Sequence, residues 1–202
     1  MFLSMLTKLL LRRKFLGWWK YKYKCTITED SEVKSEMSEV IYYGAYGSNL
    51  LRERFLVYIK GGVYEGKVYE GCRDKTEPVA MGWMYVPYRL YFAKCSPRWE
   101  NKGIAFLSCK KETNLEFYSV IRLWKITEEQ FYDIQKQEGK SWYNYILELG
   151  EKDGVKIKTI TGCWTNEIQS PSEKYLKIIK KGLKETTNWD DEKIRTYLMK
   201  FL

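Results

Sequence analysis

The sequence predicts an α+β domain, a curved mixed sheet flanked by a few short helices. Three observations carry that expectation. Short β-branched and aromatic runs recur between Gly, Pro, Asn and Asp turns, one capping-box helix interrupts them, and two amphipathic stripes close the chain. Residues 1–39 differ in character and read as a basic, apolar extension followed by a charged linker, so the domain is expected over residues 40–202. A chain of 202 residues that is 45% hydrophobic supports one core of about 150 to 160 residues, and a second full domain is not expected.

The extension opens on an apolar run of about eleven residues broken by Lys8, too short to span a bilayer. Arg12, Arg13 and Lys14 follow that run instead of preceding it, which is wrong for a secretory signal. The Leu, Trp and Lys/Arg mixture over residues 1–24 suits weak peripheral contact with a membrane surface. Glu29, Asp30, Glu32, Glu36 and Glu39, interleaved with Ser31, Ser35 and Ser38, read as a solvated arm.

Val40–Tyr43 reads as the first strand. Gly44, Gly47, Ser48 and Asn49 then allow a tight turn whose amides converge, a setting that holds an anion or a developing oxyanion without a charged side chain. Leu51–Tyr58 resumes as a short helix, and Gly61-Gly62 ends it. Met81–Met84, Arg89–Ala93 and Gly103–Ser108 read as strands, with a polar loop from Ser96 to Gly103 that exposes Trp99. Glu116–Ile126 reads as a central strand. Thr127 and Gln130 form a capping box that starts a helix from Glu128 to about Gln137. Phe131, Ile134 and Glu138 share one face of it, which aims Glu138 inward, and Gly139 terminates it. Trp142–Leu149 alternates as a strand with Tyr143 and Tyr145 on one side, and Lys152-Asp153-Gly154 turns it into Val155–Trp164. Pro171 and Ser172 open a helix with the stripe Tyr175, Leu176, Ile179 and Leu183. Asp190 caps the last helix, whose inner face carries Ile194, Tyr197, Leu198 and Phe201.

The chain contains no histidine. That excludes Ser-His-Asp and Cys-His nucleophilic sites and the His-based zinc proteases, so acid/base work near neutral pH falls to a carboxylate, Tyr, Lys or Cys. A carboxyl group walled by aromatic rings has its proton affinity raised, which suits it to take and return one proton. The cysteines are five, an odd number without a C-x-x-C pair, so neither a structural zinc site nor a disulfide framework is expected and a reducing, cytoplasmic setting is the simpler reading. The formal charge of +9 is spread along the chain and reads as a soluble basic protein. Lys20-Tyr21-Lys22-Tyr23-Lys24 and Arg98-Trp99 motivate a second reading, a non-enzymatic small-ligand or nucleic-acid-associated binding protein on the same scaffold.

Tyr43-Gly44-Ala45-Tyr46-Gly47-Ser48-Asn49-Leu50, Gln137-Glu138-Gly139, the following Tyr143, and Pro171-x-x-x-Tyr175-x-x-x-Ile179-x-x-Gly182 together resemble the gamma-glutamylcyclotransferase superfamily over roughly residues 40–184. The resemblance implies a compact mixed β-barrel with short flanking helices and a cavity at one end. It implies that Tyr46, Gly47, Ser48, Asn49 and Leu50 bind the substrate and that Glu138 is the general base and then acid. Tyr143 or Tyr145 would be a hydrogen bonder in the pocket and Tyr175 a further wall. The reaction implied is cyclisation of a γ-glutamyl amide to 5-oxoproline, which needs neither metal nor cofactor. The expected partner is a small-molecule or peptide γ-glutamyl substrate, with room for a homodimer and no nucleic acid. Gly44 departs from the family's pattern, which has a large apolar residue there. Residues 61–99 also depart from the enzyme that acts on ordinary γ-glutamyl amino acids.

Overall fold

The computed structural model describes residues 39–202; the expected membrane contact and most of the acidic arm lie outside the described residues. In chain order the elements are β1 (Val40–Ala45), α1 (Arg52–Lys60), β2 (Gly62–Tyr64), β3 (Lys67–Tyr69), β4 (Val79–Val86), β5 (Tyr88–Ser96) and β6 (Lys102–Lys111). There follow β7 (Ser119–Thr127), α2 (Glu128–Glu138), β8 (Tyr145–Lys152), β9 (Val155–Thr161), α3 (Glu173–Thr187) and α4 (Asp191–Met199). No helix among the described residues is long and apolar enough to cross a membrane.

The α+β class holds, but the sheets are open and the expected barrel is corrected. A five-stranded sheet runs β4-β7-β1-β9-β8, and β2-β3 and β5-β6 are separate two-stranded ribbons. Only β1 and β9 pair in parallel within the large sheet; its other neighbours are antiparallel. A barrel needs backbone ladders all the way round. Here β6 meets β9 through a side chain, since Thr161 Oγ1 accepts from Leu107 N at 2.9 Å and donates to Leu107 O at 2.7 Å. One disulfide, Cys109–Cys163, reinforces the same junction with its Cα atoms 5.9 Å apart. That bridge corrects the expectation of free cysteines. Such bonds persist in oxidising surroundings, so the cysteines no longer argue for a reducing compartment.

The centre of the sheet is β1, buried on both faces from Ile41 to Ala45 because β7 and β9 flank it and helices cover it. Tyr43 stacks on Phe55 of α1 at 5.5 Å, and Phe55 stacks on Trp124 of β7 at 4.9 Å. A Cβ built on Gly44 would stand 3.0 Å from Ile121 Cδ1 and 3.2 Å from Leu149 Cδ1, so those two side chains fill the space that the missing one leaves.

Two strands begin three residues later than expected. Leu115–Phe117 is a single 3₁₀ turn, capped when Asn114 accepts from Glu116 N at 3.0 Å, so β7 begins only at Ser119. The amides of Trp142 and Tyr143 turn back to Gly139 O at 3.1 and 3.0 Å, which holds both in a tight turn and delays β8 to Tyr145. The predicted caps are present. Thr127 and Gln130 make both capping-box bonds, Ser172 Oγ accepts from Tyr175 N, and Asp190 accepts from Lys193 N.

Helix α3 approaches the loop after β1 so closely that a Cβ at Gly182 would lie 2.6 Å from Leu50 Cβ and 2.7 Å from Leu51 N. Gly182→Ala gains about 1 kcal/mol in helix propensity, but the overlap with backbone costs more. Urea titration of this variant is expected to show a net loss of about 1–3 kcal/mol; an unchanged midpoint refutes the close contact. For the bridge, Cys109→Ser is expected to lower stability by about 2–4 kcal/mol under non-reducing conditions and by nothing further once dithiothreitol is present. Equal midpoints for variant and parent without reductant would exclude the bond.

Candidate active site

The loop after β1 carries the site. Ser48–Leu50 forms one 3₁₀ turn, closed by Leu50 N to Gly47 O at 3.1 Å. Its outer carbonyls are taken by β7: Trp124 Nε1 donates to Asn49 O at 3.1 Å and Arg122 Nη1 to Leu50 O at 2.8 Å. Arg122 is itself oriented by Glu185 Oε1 of α3 at 2.6 Å and lies over the Trp124 ring at 3.9 Å. The backbone of the loop is therefore fixed, and the Asn49 side chain points at the end of α2. Asn49 Nδ2 donates to Glu138 Oε1 at 2.9 Å and to Tyr43 Oη at 3.3 Å.

Glu138 reaches that position because Phe131 and Ile134, on the same face of α2, are fully buried. The carboxylate itself is half-buried. It faces a cavity of about 20 Å³ lined by Tyr43, Tyr46, Gly47, Ser48, Asn49, Ala105, Tyr143, Ile160 and Tyr175. That volume holds one water. The wall hydroxyls are tied to main chain: Tyr46 Oη donates to Ile160 O at 2.7 Å, Tyr143 Oη donates to Ala105 O at 3.1 Å, and Ala105 N donates to Tyr175 Oη at 3.3 Å.

Burial raises the pKa of each of these phenols. Tyr175 is pushed up to about 12, with the Glu138 charge adding to burial while the Ala105 and Ser48 amides oppose it. Tyr43 goes higher, through burial first and the Glu138 charge second. Tyr46 and Tyr143 are well raised, also by burial first and then by the neighbouring phenols. All four rings therefore stay neutral donors across the physiological range. Burial likewise pushes the Cys72 thiol up to about 12, so it is no nucleophile.

Seven of the residues expected at the site meet here: Tyr46, Gly47, Ser48, Asn49, Glu138, Tyr143 and Tyr175. Leu50 does not line the cavity; its side chain is core beneath α3. Tyr145 is also outside, 44% exposed on β8, because the turn at Gly139 removes Tyr143 from the strand alternation that would have aligned the two. Trp99, expected in an exposed loop, is buried against Tyr175 at 4.7 Å between ring centres. Arg98-Trp99 is therefore no stacking platform, and Lys20–Lys24 lie outside the described residues. Tyr43, Ala105 and Ile160 line the cavity in addition: Tyr43 reads in sequence as an ordinary strand residue, and the walls from β6 and β9 carry no local signal. Among the described residues no group of three Cys, Asp or Glu side chains is placed to hold a metal ion.

The fold is similar to that of solved gamma-glutamyl cyclotransferase-like structures. A solved gamma-glutamyl cyclotransferase superposes with a TM-score of 0.58 at 21% identity, covering 79% of this chain and 87% of that one. An uncharacterized protein from Homo sapiens gives 0.56 at 22% identity over the same shares. YkqA from Bacillus subtilis gives 0.51 at 17% identity, over 82% of this chain and 55% of that one. By sequence the chain is 27% identical over 211 residues to histone deacetylase 5 of Arabidopsis thaliana, 83% of this chain and 32% of that protein. The chain thus spans about a third of that curated relative's length. No family model matches.

The phenols set a pH limit. A folded-state pKa above the unfolded value of about 10 means that the unfolded chain holds fewer protons in alkali, so stability is intact below pH 10 and falls above it. Circular dichroism is expected to show loss of stability between pH 10 and about 12, the Tyr175 value. Phenolate absorbance rising near pH 10 for every tyrosine in the folded protein would refute the buried network.

Proposed function

We propose that the chain catalyses intramolecular aminolysis of a γ-glutamyl amide, the transferase or lyase-type cyclisation that releases 5-oxoproline and a free amine. The observation that carries this reading is the Asn49–Glu138 hydrogen bond of 2.9 Å, which joins the end of α2 to the glycine-containing loop across a cavity walled by neutral phenols. The likeness of fold to a gamma-glutamyl cyclotransferase supports it.

The chemistry follows from the groups present. The substrate's α-amino nitrogen attacks its own γ-carbonyl carbon, forming a five-membered ring and a tetrahedral oxyanion. Glu138 accepts the proton released by that nitrogen. It then returns the proton to the departing amine as the original amide C–N bond breaks, so the enzyme ends as it began. The reaction is unimolecular once the substrate is folded, so holding nitrogen and carbon in contact removes much of the barrier. Main-chain amides around Gly47 and Ser48 are the donors for the oxyanion, and losing one such donor typically costs about 3 kcal/mol of barrier. Asn49 keeps the Glu138 carboxylate turned toward the loop. The tyrosines exclude water, and Tyr43 and Tyr175, whose hydroxyls accept from Asn49 Nδ2 and Ala105 N, keep donors that do not ionise. A cavity of about 20 Å³ is smaller than a glutamyl group, so substrate is admitted as a wall moves aside.

The test is 5-oxoproline release from a panel of γ-glutamyl amines, γ-glutamyl amino acids and glutathione. Glu138→Gln is expected to keep the thermal unfolding profile and to lose about 10²–10⁴-fold in turnover. Activity near the parent's level would remove Glu138 from the mechanism.

A further inference from the structure

Two arginines, Arg54 and Arg98, carry buried donors with no acceptor among the described residues. Arg54 sits on α1 directly after the exposed Arg52 and Glu53, yet it is only 2% exposed. Its Nη2 donates to Tyr58 Oη at 2.6 Å, while Nε and Nη1 are buried with no acceptor among the described residues. Arg98, in the Pro97–Trp99 turn, likewise has Nε and Nη2 buried without an acceptor. Those two nitrogens lie along one edge of the guanidinium, the fork that fits a carboxylate or phosphate with two parallel hydrogen bonds. Both guanidiniums face the Tyr69 ring, at 4.7 and 5.2 Å from its centre, and the Tyr69 hydroxyl is also buried without a partner.

The charges around this cluster do not balance. No ion pair among the described residues includes Arg54 or Arg98. Burial and then the Arg54 charge lower the pKa of Arg98, and burial and then Arg98 lower that of Lys67, whose ammonium stands 5.0 Å from the Tyr69 ring centre. Glu138 opposes both shifts. Glu65, the other carboxylate felt by Arg98, is bound to Lys174 at 3.2 Å. Arg54 is buried and Arg98 half-buried, and buried guanidinium nitrogens with unused donors, crowded by a like charge, are costly unless an anion joins them.

We propose that Arg54, Arg98 and Tyr69 form an oxyanion-binding subsite that takes a carboxylate or phosphate group on the amine side of the γ-glutamyl substrate. The inference rests on the cyclotransfer reading and adds the chemistry of the leaving group. The amine side is assigned because the loop and Glu138 take the glutamyl part. Tyr58, hydrogen-bonded to Arg54, has its pKa raised first by burial and next by the Glu138 charge, so it links the two sites. Tyr64 and Tyr69 cover the arginines from the β2-β3 ribbon, which is hydrogen-bonded into no other sheet. Displacing that ribbon, tied at its tip by Glu65–Lys174, opens the subsite.

The experiment compares 5-oxoproline release from γ-glutamylethylamine, γ-glutamylglycine and γ-glutamyl-phosphoethanolamine. The parent is expected to favour one of the two anionic amides over the neutral one by at least about tenfold in kcat/KM, expressed mainly in KM. The preferred anion separates carboxylate from phosphate. Arg98→Gln is expected to bring that ratio near one, and Arg98→Lys, which keeps charge but lacks the fork, to restore only part of it. Arg54→Gln provides a second variant on a different element. A parent that turns over all three amides equally, or a ratio that survives in the Gln variants, overturns the subsite. If no amide yields 5-oxoproline, the cyclotransfer reading fails separately. Calorimetry with glycine and with O-phosphoethanolamine then decides the subsite: binding lost in Arg98→Gln sustains it, and no binding to the parent overturns it.

Discussion

The pocket depends on β7 holding two main-chain carbonyls of the loop after β1. Trp124 and Arg122 are alternate residues on one strand, so they reach the same side of the sheet and meet consecutive carbonyls, Asn49 O and Leu50 O. Removing the Trp124 donor would strand Asn49 O, a penalty of about 1–3 kcal/mol, whereas Leu50 O would keep Thr186 Oγ1 at 3.4 Å. With the backbone fixed, Asn49 Nδ2 meets Glu138 Oε1 where the buried face of α2 brings the carboxylate to the cavity. The geometry of the site therefore depends on side-chain-to-main-chain contacts in the core as much as on the carboxylate.

Aromatic residues make up 16% of the chain, and the structure uses them in two ways. Phe55, Phe131 and Trp124 are packing, fully buried around β1. Tyr43, Tyr46, Tyr143 and Tyr175 pack as well, but each also turns a hydroxyl to the cavity wall, where it bonds main chain or Asn49. A ring of phenols that resist ionisation keeps the space around Glu138 both polar in its contacts and poor in charge. Such a setting strengthens the few charged interactions inside it.

Openness of the sheet has a structural counterpart at the β6-β9 junction. Thr161 and the Cys109–Cys163 bridge replace a backbone ladder there, while Tyr91 Oη donates to Gly162 O and accepts from Trp164 N at 2.9 Å. Trp164 Nε1 then donates to Trp142 O at 2.7 Å, next to Tyr143. The cavity wall is thus tied to the β5-β6 ribbon by side chains, and the two sheets pack without closing.

The sequence alone determined the local elements. Capping at Thr127, Ser172 and Asp190, the helix stop at Gly139, and the Gly-Ser-Asn turn after a strand all act within a few residues, so their signals sit in neighbouring letters. The inward aim of Glu138 was legible for the same reason, because helical period places it above Phe131 and Ile134. What tertiary structure decided were contacts between distant segments. Tyr143 and Tyr145 look equivalent by alternation, and only the turn onto Gly139 O separates them. Leu50 belongs to the loop in sequence but to the core in space, because α3 arrives over Gly182. Trp99 looks exposed in a polar run until Tyr175 covers it, and Cys109 finds Cys163 across 54 residues. Arg54 and Arg98 are ordinary surface letters in their own segments; their shared burial over Tyr69 arises only when α1, the β2-β3 ribbon and the turn after β5 converge. No periodicity encodes such a meeting, since it depends on which faces pack together once the chain has folded.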